Sequence, residues 1–327
     1  MELSIFSLPF IAAVLLAGIM GFSVQRGATC TVAAVEQLIV ERRWQRFLAI
    51  LEAALWVLAG LLLAHVVGVT MALPVGYRIS AATLAGGAVL GFGAFVNRGC
   101  VFGSIARLGS GEWNYIATPF GFFAGCVLTH AWAMEQSPEP LPFAMPNANW
   151  IVLIAALLLG GITLRVTFAL LKRYAHYGES FRARLRHALA RRVWEPSAAT
   201  TVIGIVFVGL FLLVGAWAYT DVLAELARGT RMSLLVRLLL LLALFAGALI
   251  GGWTAGLFRH VAFSAISLLR CFSGGALMGI GSGLIPGGND GLLLVGMPLL
   301  WPYAWTAFAA MVVTIVISIQ IQRIFAR

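Results

Sequence analysis

Charged residues are scarce in this sequence, and their scarcity excludes a soluble globular protein. Only 10% of the 327 residues are Asp, Glu, Lys or Arg, whereas 61% are hydrophobic. Charged residues make up about 25% of an average soluble domain. The mean hydropathy of +0.97 is equally untypical of soluble proteins. Because apolar runs of bilayer-spanning length recur from end to end, we expect one integral membrane domain.

Cysteine is also scarce, and its spacing excludes the common metal sites. The four cysteines, Cys30, Cys100, Cys126 and Cys271, form no CxxC or Cys/His pattern. Structural disulfides are not expected, because all four lie in or beside predicted membrane spans. The sequence also lacks a phosphate-binding loop, a Ser/His/Asp arrangement and a pair of catalytic carboxylates. We therefore expect a protein that is not an enzyme and needs no metal or other cofactor.

The basic residues lie between apolar runs, which argues against a nucleic-acid partner despite the net charge of +10. They gather in ERRWQRF at 41–47, in the segment 172–196 and near 259–270. This distribution follows the positive-inside rule. The segment 172–196 is predicted to form a cytoplasmic helix on the membrane surface, held by acidic membrane lipids. The linker 135–149 contains Glu and Pro but no Lys or Arg, so it belongs on the outer face.

The hydrophobicity pattern predicts seven clean membrane spans and three interrupted apolar segments. The spans are predicted near 4–22, 47–70, 115–134, 150–171, 198–219, 232–258 and 299–323. The interrupted segments are 21–40, 81–108 and 272–297. Glycine, proline or polar residues break each of these three. Unwound backbone in hydrocarbon is costly unless it is buried in protein or lines a wet cavity, so each break needs a reason.

Two of the interrupted segments match each other, which indicates an internal duplication. A shift of 188 positions lays residues 86–103 over residues 274–291, and all six glycines of the first copy then meet a glycine. The basic clusters make the span before the first copy run outward and the span before the second copy run inward. The copies would therefore enter the membrane from opposite sides. In such proteins the substrate site commonly lies between the halves at the bilayer midplane.

The predicted fold is therefore an all-α polytopic membrane protein with two inverted-topology repeats and broken or re-entrant half-helices. We expect a single transport domain over residues 1–327. Its expected parts are repeat one at 1–134, a linker and connecting span at 135–171, the basic cytoplasmic segment at 172–196, and repeat two at 197–327.

Polar residues and thiols mark the breaks. An Arg-Gly pair followed by a cysteine occurs twice, at Arg26 with Cys30 and at Arg98 with Cys100. Helix N-termini that converge at such breaks would favour an anion. Close packing of helices explains glycines such as Gly86, Gly87, Gly274 and Gly275, but it does not explain polar residues such as Asp290. The candidate substrate-binding residues are Arg26, Cys30, Asn97, Arg98, Gly99, Cys100, Gly288 and Asn289.

Each candidate also has a purely structural explanation. An arginine at membrane depth costs about 2.5–3.5 kcal/mol, so it is usually paired, extended to the interface or functional. Both alternatives stay open for Arg26 and Arg98. A buried cysteine often packs as a small apolar residue, which is sufficient for Cys126. The position of Cys30 and Cys100 at helix breaks favours a binding role.

The segments GFSVQRGATC, GFGAFVNRGCVFG and GGALMGIGSGLIPGGNDGLL resemble the signature segments of the YeeE/YedE family of bacterial inner-membrane sulfur transporters. The resemblance covers both halves of the chain. It implies a compact inverted-repeat protein in the cell inner membrane and a thiosulfate import activity. It further implies that Cys30 and Cys100 hold the anion in turn through S–H···S contacts, without covalent chemistry.

One position departs from the family pattern. Where the family often has a further thiol in the second half, this chain has Gly288 followed by Asn289. Cys271 lies seventeen residues before that position and cannot simply replace the thiol. Either Asn289 and backbone N–H groups receive the anion there, or the chain carries a sulfur oxyanion other than thiosulfate.

Three functions are open at this point. The leading one is a permease that imports a small sulfur-containing anion along a thiol-lined path between the repeats. The alternative is a membrane component of a sulfur-relay complex, which accepts persulfide sulfur on Cys30 or Cys100 and passes it to a cytoplasmic sulfur-carrier or rhodanese-like protein. The third is an assembly protein whose glycines only pack helices.

Overall fold

The structure is a computed structural model that describes residues 7–69, 71–130, 138–139, 157, 160–161, 190–229, 234–259, 261–285 and 287–326. Within these residues the regular secondary structure is helical except for one pair of two-residue strands. Strand β1 (Gly76–Tyr77) pairs antiparallel with β2 (Pro138–Glu139). The predicted span at 150–171, most of the linker and most of the basic segment 172–196 lie outside the described residues.

The first half of the chain alternates long and short helices. Its α-helices are α1 (Leu8–Gly27), α2 (Thr31–Glu36), α3 (Gln45–Val66), α4 (Ala81–Asn97), α5 (Val101–Gly109) and α6 (Ala117–His130). A π-helical turn at Gln37–Glu41 extends α2, and a 3₁₀ turn at Trp113–Ile116 precedes α6.

The second half has the same order of long and short helices. Its α-helices are α7 (Pro196–Val214), α8 (Tyr219–Ala227), α9 (Leu234–Thr254), α10 (Ala265–Leu284), α11 (Asn289–Gly291) and α12 (Pro302–Phe325). A π-helical turn at Leu292–Gly296 extends α11, as the turn in the first half extends α2. Helices α7, α8 and α11 begin 188 positions after α1, α2 and α5, respectively. The offset found in the glycine pattern therefore recurs in the helix boundaries.

Seven segments among the described residues are long and apolar enough to cross a membrane. They are Leu8–Glu41, Gln45–Val66, Ala81–Gly109, Pro196–Val214, Leu234–Thr254, Ala265–Leu284 and Pro302–Phe325. Large apolar side chains on these helices point away from the protein, such as Leu242 and Trp253 of α9 and Ile266 of α10, which are 62%, 74% and 82% exposed. Exposed apolar surface on helices of this length and composition is typical of helices that face lipid. The prediction of an all-helical, multi-pass membrane protein is confirmed.

Two of the predicted boundaries are wrong. The segment 272–297 was expected to be too interrupted for a spanning helix, but α10 runs unbroken over Ala265–Leu284, and the break follows its C-terminal end. Close packing against other helices offsets the low helix propensity of its glycines. The span predicted at 198–219 ends at Val214, and a fourth break precedes the short helix α8.

Small residues bring α4 and α10 into backbone contact at two points. A Cβ built on Gly86 would lie 2.9 Å from the Gly281 carbonyl oxygen, and one built on Gly93 would lie 2.8 Å from that of Gly274. Because residue numbers rise along α4 as they fall along α10, the two helices run antiparallel.

The neighbouring glycines make contacts of the same kind. Gly87 packs against the Ala307 carbonyl of α12, and Gly275 packs against the Thr118 carbonyl of α6. The prediction that Gly86, Gly87, Gly274 and Gly275 serve helix packing is confirmed.

These crossings generate a stability prediction. A methyl group added at Gly279 of α10 would overlap the Phe122 carbonyl of α6, and neither backbone can yield without separating the helices. We expect Gly279→Ala to lower the free energy of unfolding by about 1–3 kcal/mol. Thermal unfolding of the detergent-solubilised protein, followed by tryptophan fluorescence, measures this effect.

Gly18→Ala is the matched control, because Gly18 also lies within a long helix but its added Cβ would rest 3.6 Å from the Ala243 carbonyl oxygen, an ordinary contact. It should unfold at the wild-type temperature or slightly above, since alanine favours helices more than glycine does. Equal unfolding temperatures for the two variants would contradict the role of the close crossing.

Candidate functional site

Four short helices begin directly after the breaks, and the residue before each of them has an extended backbone. These N-cap residues are Cys30, Cys100, Ala218 and Gly288. Cys30 and Ala218 are 188 positions apart, and so are Cys100 and Gly288. Both thiols at these positions therefore belong to the first half of the chain.

The structure brings the two thiols together. The Thr31 N–H donates a hydrogen bond to Cys100 Sγ at 3.2 Å, and the side chains of Cys30 and Cys100 are neighbours. Both residues are buried. Gly103 provides the space, since a Cβ at that position would lie 2.5 Å from Cys30 Sγ. The predicted candidates Cys30 and Cys100 thus form one buried pair.

Asn97 fixes the backbone of the break between α4 and α5. Its Nδ2 donates to the Gly99 carbonyl at 2.7 Å and to Ser104 Oγ at 2.8 Å, and its Oδ1 accepts from Thr118 Oγ1 at 2.9 Å. The side chain is fully buried. Asn97 therefore joins α4, the break, α5 and α6. A direct bond from its amide N–H groups to a substrate would require one of these contacts to open.

Asn289 connects the break before α11 to the break before α5. The Val101 N–H donates to Asn289 Oδ1 at 3.3 Å. Asn289 is fully buried, and within the part of the chain that the structure describes its Nδ2 has no hydrogen-bond partner. Buried donors nearly always have a partner, so this amide offers N–H groups to an acceptor.

Gly288 adjoins Thr220, which explains the missing thiol of the second half. A Cβ at position 288 would lie 2.5 Å from Thr220 Oγ1. The Thr220 side chain therefore occupies the space that a side chain at 288 would need. A cysteine at this position would be incompatible with the observed threonine conformation.

Two acidic residues lie beside the breaks of the second half, one in α8 and one in α11. Asp290 is 1% exposed and accepts hydrogen bonds from both the N–H and the hydroxyl of Thr220. The Asp221 carboxylate lies beside Gly291, 3.4 Å from where its Cβ would be. Sequence reasoning missed Thr220 and Asp221 because VGAWAYTD reads as the end of an apolar span. The 188-residue offset applied to Cys30 would have located this break.

The buried guanidinium of Arg26 has hydrogen-bond partners within the protein. It is 3% exposed, and its guanidinium donates to the Arg191 carbonyl and, at 2.8 Å, to Thr254 Oγ1. The guanidinium carbon also lies 4.9 Å from the centre of the Phe22 ring, a cation–π contact. Arg26 thus connects the end of α1 to the end of α9, and these contacts account for its burial.

Arg98 differs from its neighbours in the break. Asn97, Gly99 and Cys100 are buried, whereas Arg98 is exposed. Its φ of 58° is left-handed, a conformation that non-glycine residues seldom adopt. Among the described residues its guanidinium has no hydrogen-bond or ion-pair partner. Arg98 is therefore an exposed cation next to a buried thiol.

The other two cysteines lie apart from this pair. Cys126 is buried in α6, with Sγ 3.7 Å from the Gly279 carbonyl, and it packs as expected for a small apolar residue. Cys271 is buried with Leu108 and Tyr115 in a separate apolar cluster. Within the described residues, no group of three His, Cys, Asp or Glu side chains could hold a metal ion.

An all-helical membrane protein that buries its helix breaks inside the protein, with polar groups facing one another across them, has the construction of a membrane transporter. Comparison with known proteins identifies the kind of transporter. The family model for sulphur transport matches residues 26–317, from the first break to the last helix. The chain belongs to this sulphur transport family, and the resemblance to YeeE/YedE proteins is confirmed.

A characterised relative agrees with the family match. The chain is 26% identical over 323 residues to the thiosulfate transporter TsuA of Escherichia coli (strain K12), and the match covers 90% of this chain and 89% of the relative. Family and relative are transporters, not enzymes. The protein is therefore a membrane transporter of a sulfur-containing anion.

Asn97 provides the prediction for this site. Asn97→Leu keeps the approximate size of the side chain but leaves the Gly99 carbonyl, Ser104 and Thr118 without their partner. We expect a loss of roughly 2–5 kcal/mol in the free energy of unfolding, because unsatisfied buried polar groups are costly. Thermal unfolding in detergent measures it. Ser104→Ala removes one of these contacts and should fall between the variant and wild type. An Asn97→Leu protein with wild-type stability would show that the break does not depend on this amide.

Proposed function

We propose that the protein imports thiosulfate or a closely related sulfur oxyanion through the junction of its helix breaks. The observation that carries the proposal is the buried pair Cys30 and Cys100 near Asn289, whose Nδ2 has no hydrogen-bond partner among the residues that the structure describes. Val101 links the two parts, because it follows Cys100 in the chain and its N–H donates to Asn289. We call the place where Cys30, Cys100, Val101 and Asn289 meet the junction. An anion there would contact thiol and amide donors together.

The donors match the two ends of a thiosulfate ion. A thiol is a weak, soft donor that suits the terminal sulfur, whereas an amide N–H suits an oxygen. Cys30 and Cys100 would hold the sulfur end in turn, and Asn289 with the backbone at Gly288 would receive the oxygens. The acidic side chain of Asp290 opposes tight binding of an anion. Loose binding serves transport, because a permeation site must also release its substrate.

Arg26 and Arg98 would act on the anion in different ways. Arg98 is exposed and unpaired among the described residues, so it would attract the anion towards Cys100 and offset part of the desolvation cost. Arg26 would contribute through the positive potential of its buried guanidinium, and Asn97 and Gly99 would shape the break without donating to the anion.

We further propose that the two halves are inverted repeats related by a pseudo-twofold axis in the membrane plane. The supporting contacts exchange under the 188-residue offset, because Gly93 meets Gly274 while their counterparts Gly281 and Gly86 also meet. The antiparallel crossing of α4 and α10 fits this inversion. Val101 and Asn289, which are themselves counterparts, would lie near the axis.

The membrane and the orientation follow from the same proposal. The relative is a bacterial protein, and the basic stretch 41–47 at the start of α3 would face the cytoplasm by the positive-inside rule. The protein would then lie in the bacterial inner membrane with the segment 172–196 in the cytoplasm. A cytoplasmic rhodanese-like or sulfur-carrier protein would be the acceptor only if the chain works as a sulfur relay.

Uptake of radiolabelled thiosulfate into proteoliposomes tests the proposed function, with sulfite, sulfate and selenium analogues as competitors. We expect Cys100→Ala to abolish uptake and Asn289→Leu to reduce it at least about tenfold, since each removes a donor from the junction. Cys126→Ala is the matched control, because it also removes a buried thiol but from a helix outside the junction. It should transport at the wild-type rate.

Two outcomes would change the account. Wild-type uptake by Cys100→Ala would remove this thiol from the path. A persulfide on Cys30 or Cys100, detected by mass spectrometry during turnover, would favour the sulfur relay over transport of the intact anion.

A further inference from the structure

Two carboxylates lie beside the proposed path in the second half of the chain. Asp290 is 1% exposed, and it accepts hydrogen bonds from the N–H and the hydroxyl of Thr220. Asp221 is half-buried, and one of its carboxylate oxygens lies 3.4 Å from a Cβ built on Gly291, the residue after Asp290. The two carboxylates are therefore close enough to interact electrostatically.

The amide of Asn289 indicates that an anion comes close to this pair. Asn289 directly precedes Asp290, it is fully buried, and its Nδ2 has no hydrogen-bond partner among the described residues. Such an amide offers its N–H groups to an acceptor. The internal duplication does not account for acids here, because the residues 188 positions before Asp221 and Asp290 are Ala33 and Phe102. An anion path thus passes two acidic side chains that would repel its substrate if both were ionised.

The surroundings of the two carboxylates differ, and the difference assigns a proton to one of them. Both oxygens of Asp290 accept hydrogen bonds from Thr220, which favour the ionised form. Asp221 instead faces the backbone of Gly287 and Gly291. Burial and the charge of Asp290 both oppose a negative charge on Asp221. Such a pair binds one proton together, and Asp221 is the carboxyl that takes it up.

The other charged groups near Asp221 do not replace this proton. Glu225 and Arg237 form an ion pair with each other at 2.6 Å. Arg228 is exposed, so water and salt screen its charge. The remaining titratable groups around the pair are thiols and phenols, none of which carries a positive charge, namely Cys126, Tyr303, Tyr219 and, beyond Tyr219, Cys100.

The pair lies on the outer side of the junction in the proposed orientation. Helix α7 starts directly after the basic segment 172–196 and therefore runs outward, and α8 follows its outward end. Because Asp221 is only half-buried, it can take a proton from external water.

We propose that Asp221, with Asp290 as its charged neighbour, binds a proton that enters the cell together with the anion, so that the protein is a proton–anion symporter. The inference rests on the proposed function and adds a driving force to it. The proton comes from external water, removes the charge on Asp221 that would repel the anion near Asn289, and is released to cytoplasmic water with the anion. An inside-negative membrane potential opposes entry of an anion, and each proton carried along cancels one negative charge.

Proton movement into proteoliposomes tests the coupling. The vesicles contain the full-length protein and the pH-sensitive dye pyranine, and valinomycin with equal potassium on both sides holds the membrane potential at zero. Addition of thiosulfate outside should acidify the lumen, because each anion brings a proton. With one proton per anion, a gradient of one pH unit, acidic outside, should accumulate radiolabelled thiosulfate about tenfold.

Asp221→Asn tests the site. The variant keeps the size of the side chain but cannot bind or release a proton. It should lose both the acidification and the accumulation driven by the pH gradient, while it still exchanges internal for external thiosulfate. The exchange separates loss of coupling from loss of the fold. Glu112→Gln is the control, because Glu112 is an acidic side chain outside the junction that pairs with Arg107 at 3.1 Å. It should accumulate thiosulfate as wild type does.

The outcomes distinguish this inference from the function on which it rests. Thiosulfate uptake by the wild-type protein with no acidification and no response to the pH gradient overturns the symport, while the proposed function stands. Full coupling in Asp221→Asn overturns the assignment of the proton to this pair. Failure of the wild-type protein to take up any sulfur anion overturns the proposed function itself.

Discussion

The helix breaks of this protein satisfy one another's backbone. The Thr31 N–H at the start of α2 donates to Cys100, the Val101 N–H at the start of α5 donates to Asn289, and the Thr220 N–H at the start of α8 donates to Asp290. Free N–H groups at helix starts are costly inside a membrane, where water cannot replace the missing partners. Three of the four breaks are therefore stabilised by an acceptor from another break, and these bonds hold the four short helices together.

This constraint determines which chemistry the junction contains. The acceptors that cap the helices are a thiol in the first half and an amide and a carboxylate in the second half. Thr220 fills the space beside Gly288, so the second half has a hydroxyl and an amide where the family often has a further thiol. Asn289 accepts the Val101 N–H with its Oδ1, and its Nδ2 has no partner in the described part of the chain. The same side chain thus supports the fold and provides a donor for a ligand.

The sequence allowed the fold class and most helices to be predicted, because hydrophobic length and the 188-residue offset are properties of the chain itself. The break before α8 was missed, since Gly215 and its neighbours are apolar and continue the preceding pattern. The partners of the site were also missed. Thr220 bonds to a residue 70 positions away, and Arg26 bonds to partners 165 and 228 positions away. No local sequence pattern predicts hydrogen bonds between residues so far apart in the chain, because only the packing of the helices brings them together.

The location of the bound anion shows whether the substrate passes between the thiol pair and Asn289. Selenosulfate, in which selenium replaces the terminal sulfur of thiosulfate, can be soaked into crystals of the wild-type protein, and anomalous scattering then locates the selenium. We expect a selenium peak in contact with the sulfur of Cys30 or Cys100, with the oxygens towards Asn289. A selenium position away from Cys30, Cys100 and Asn289 would contradict the proposed path.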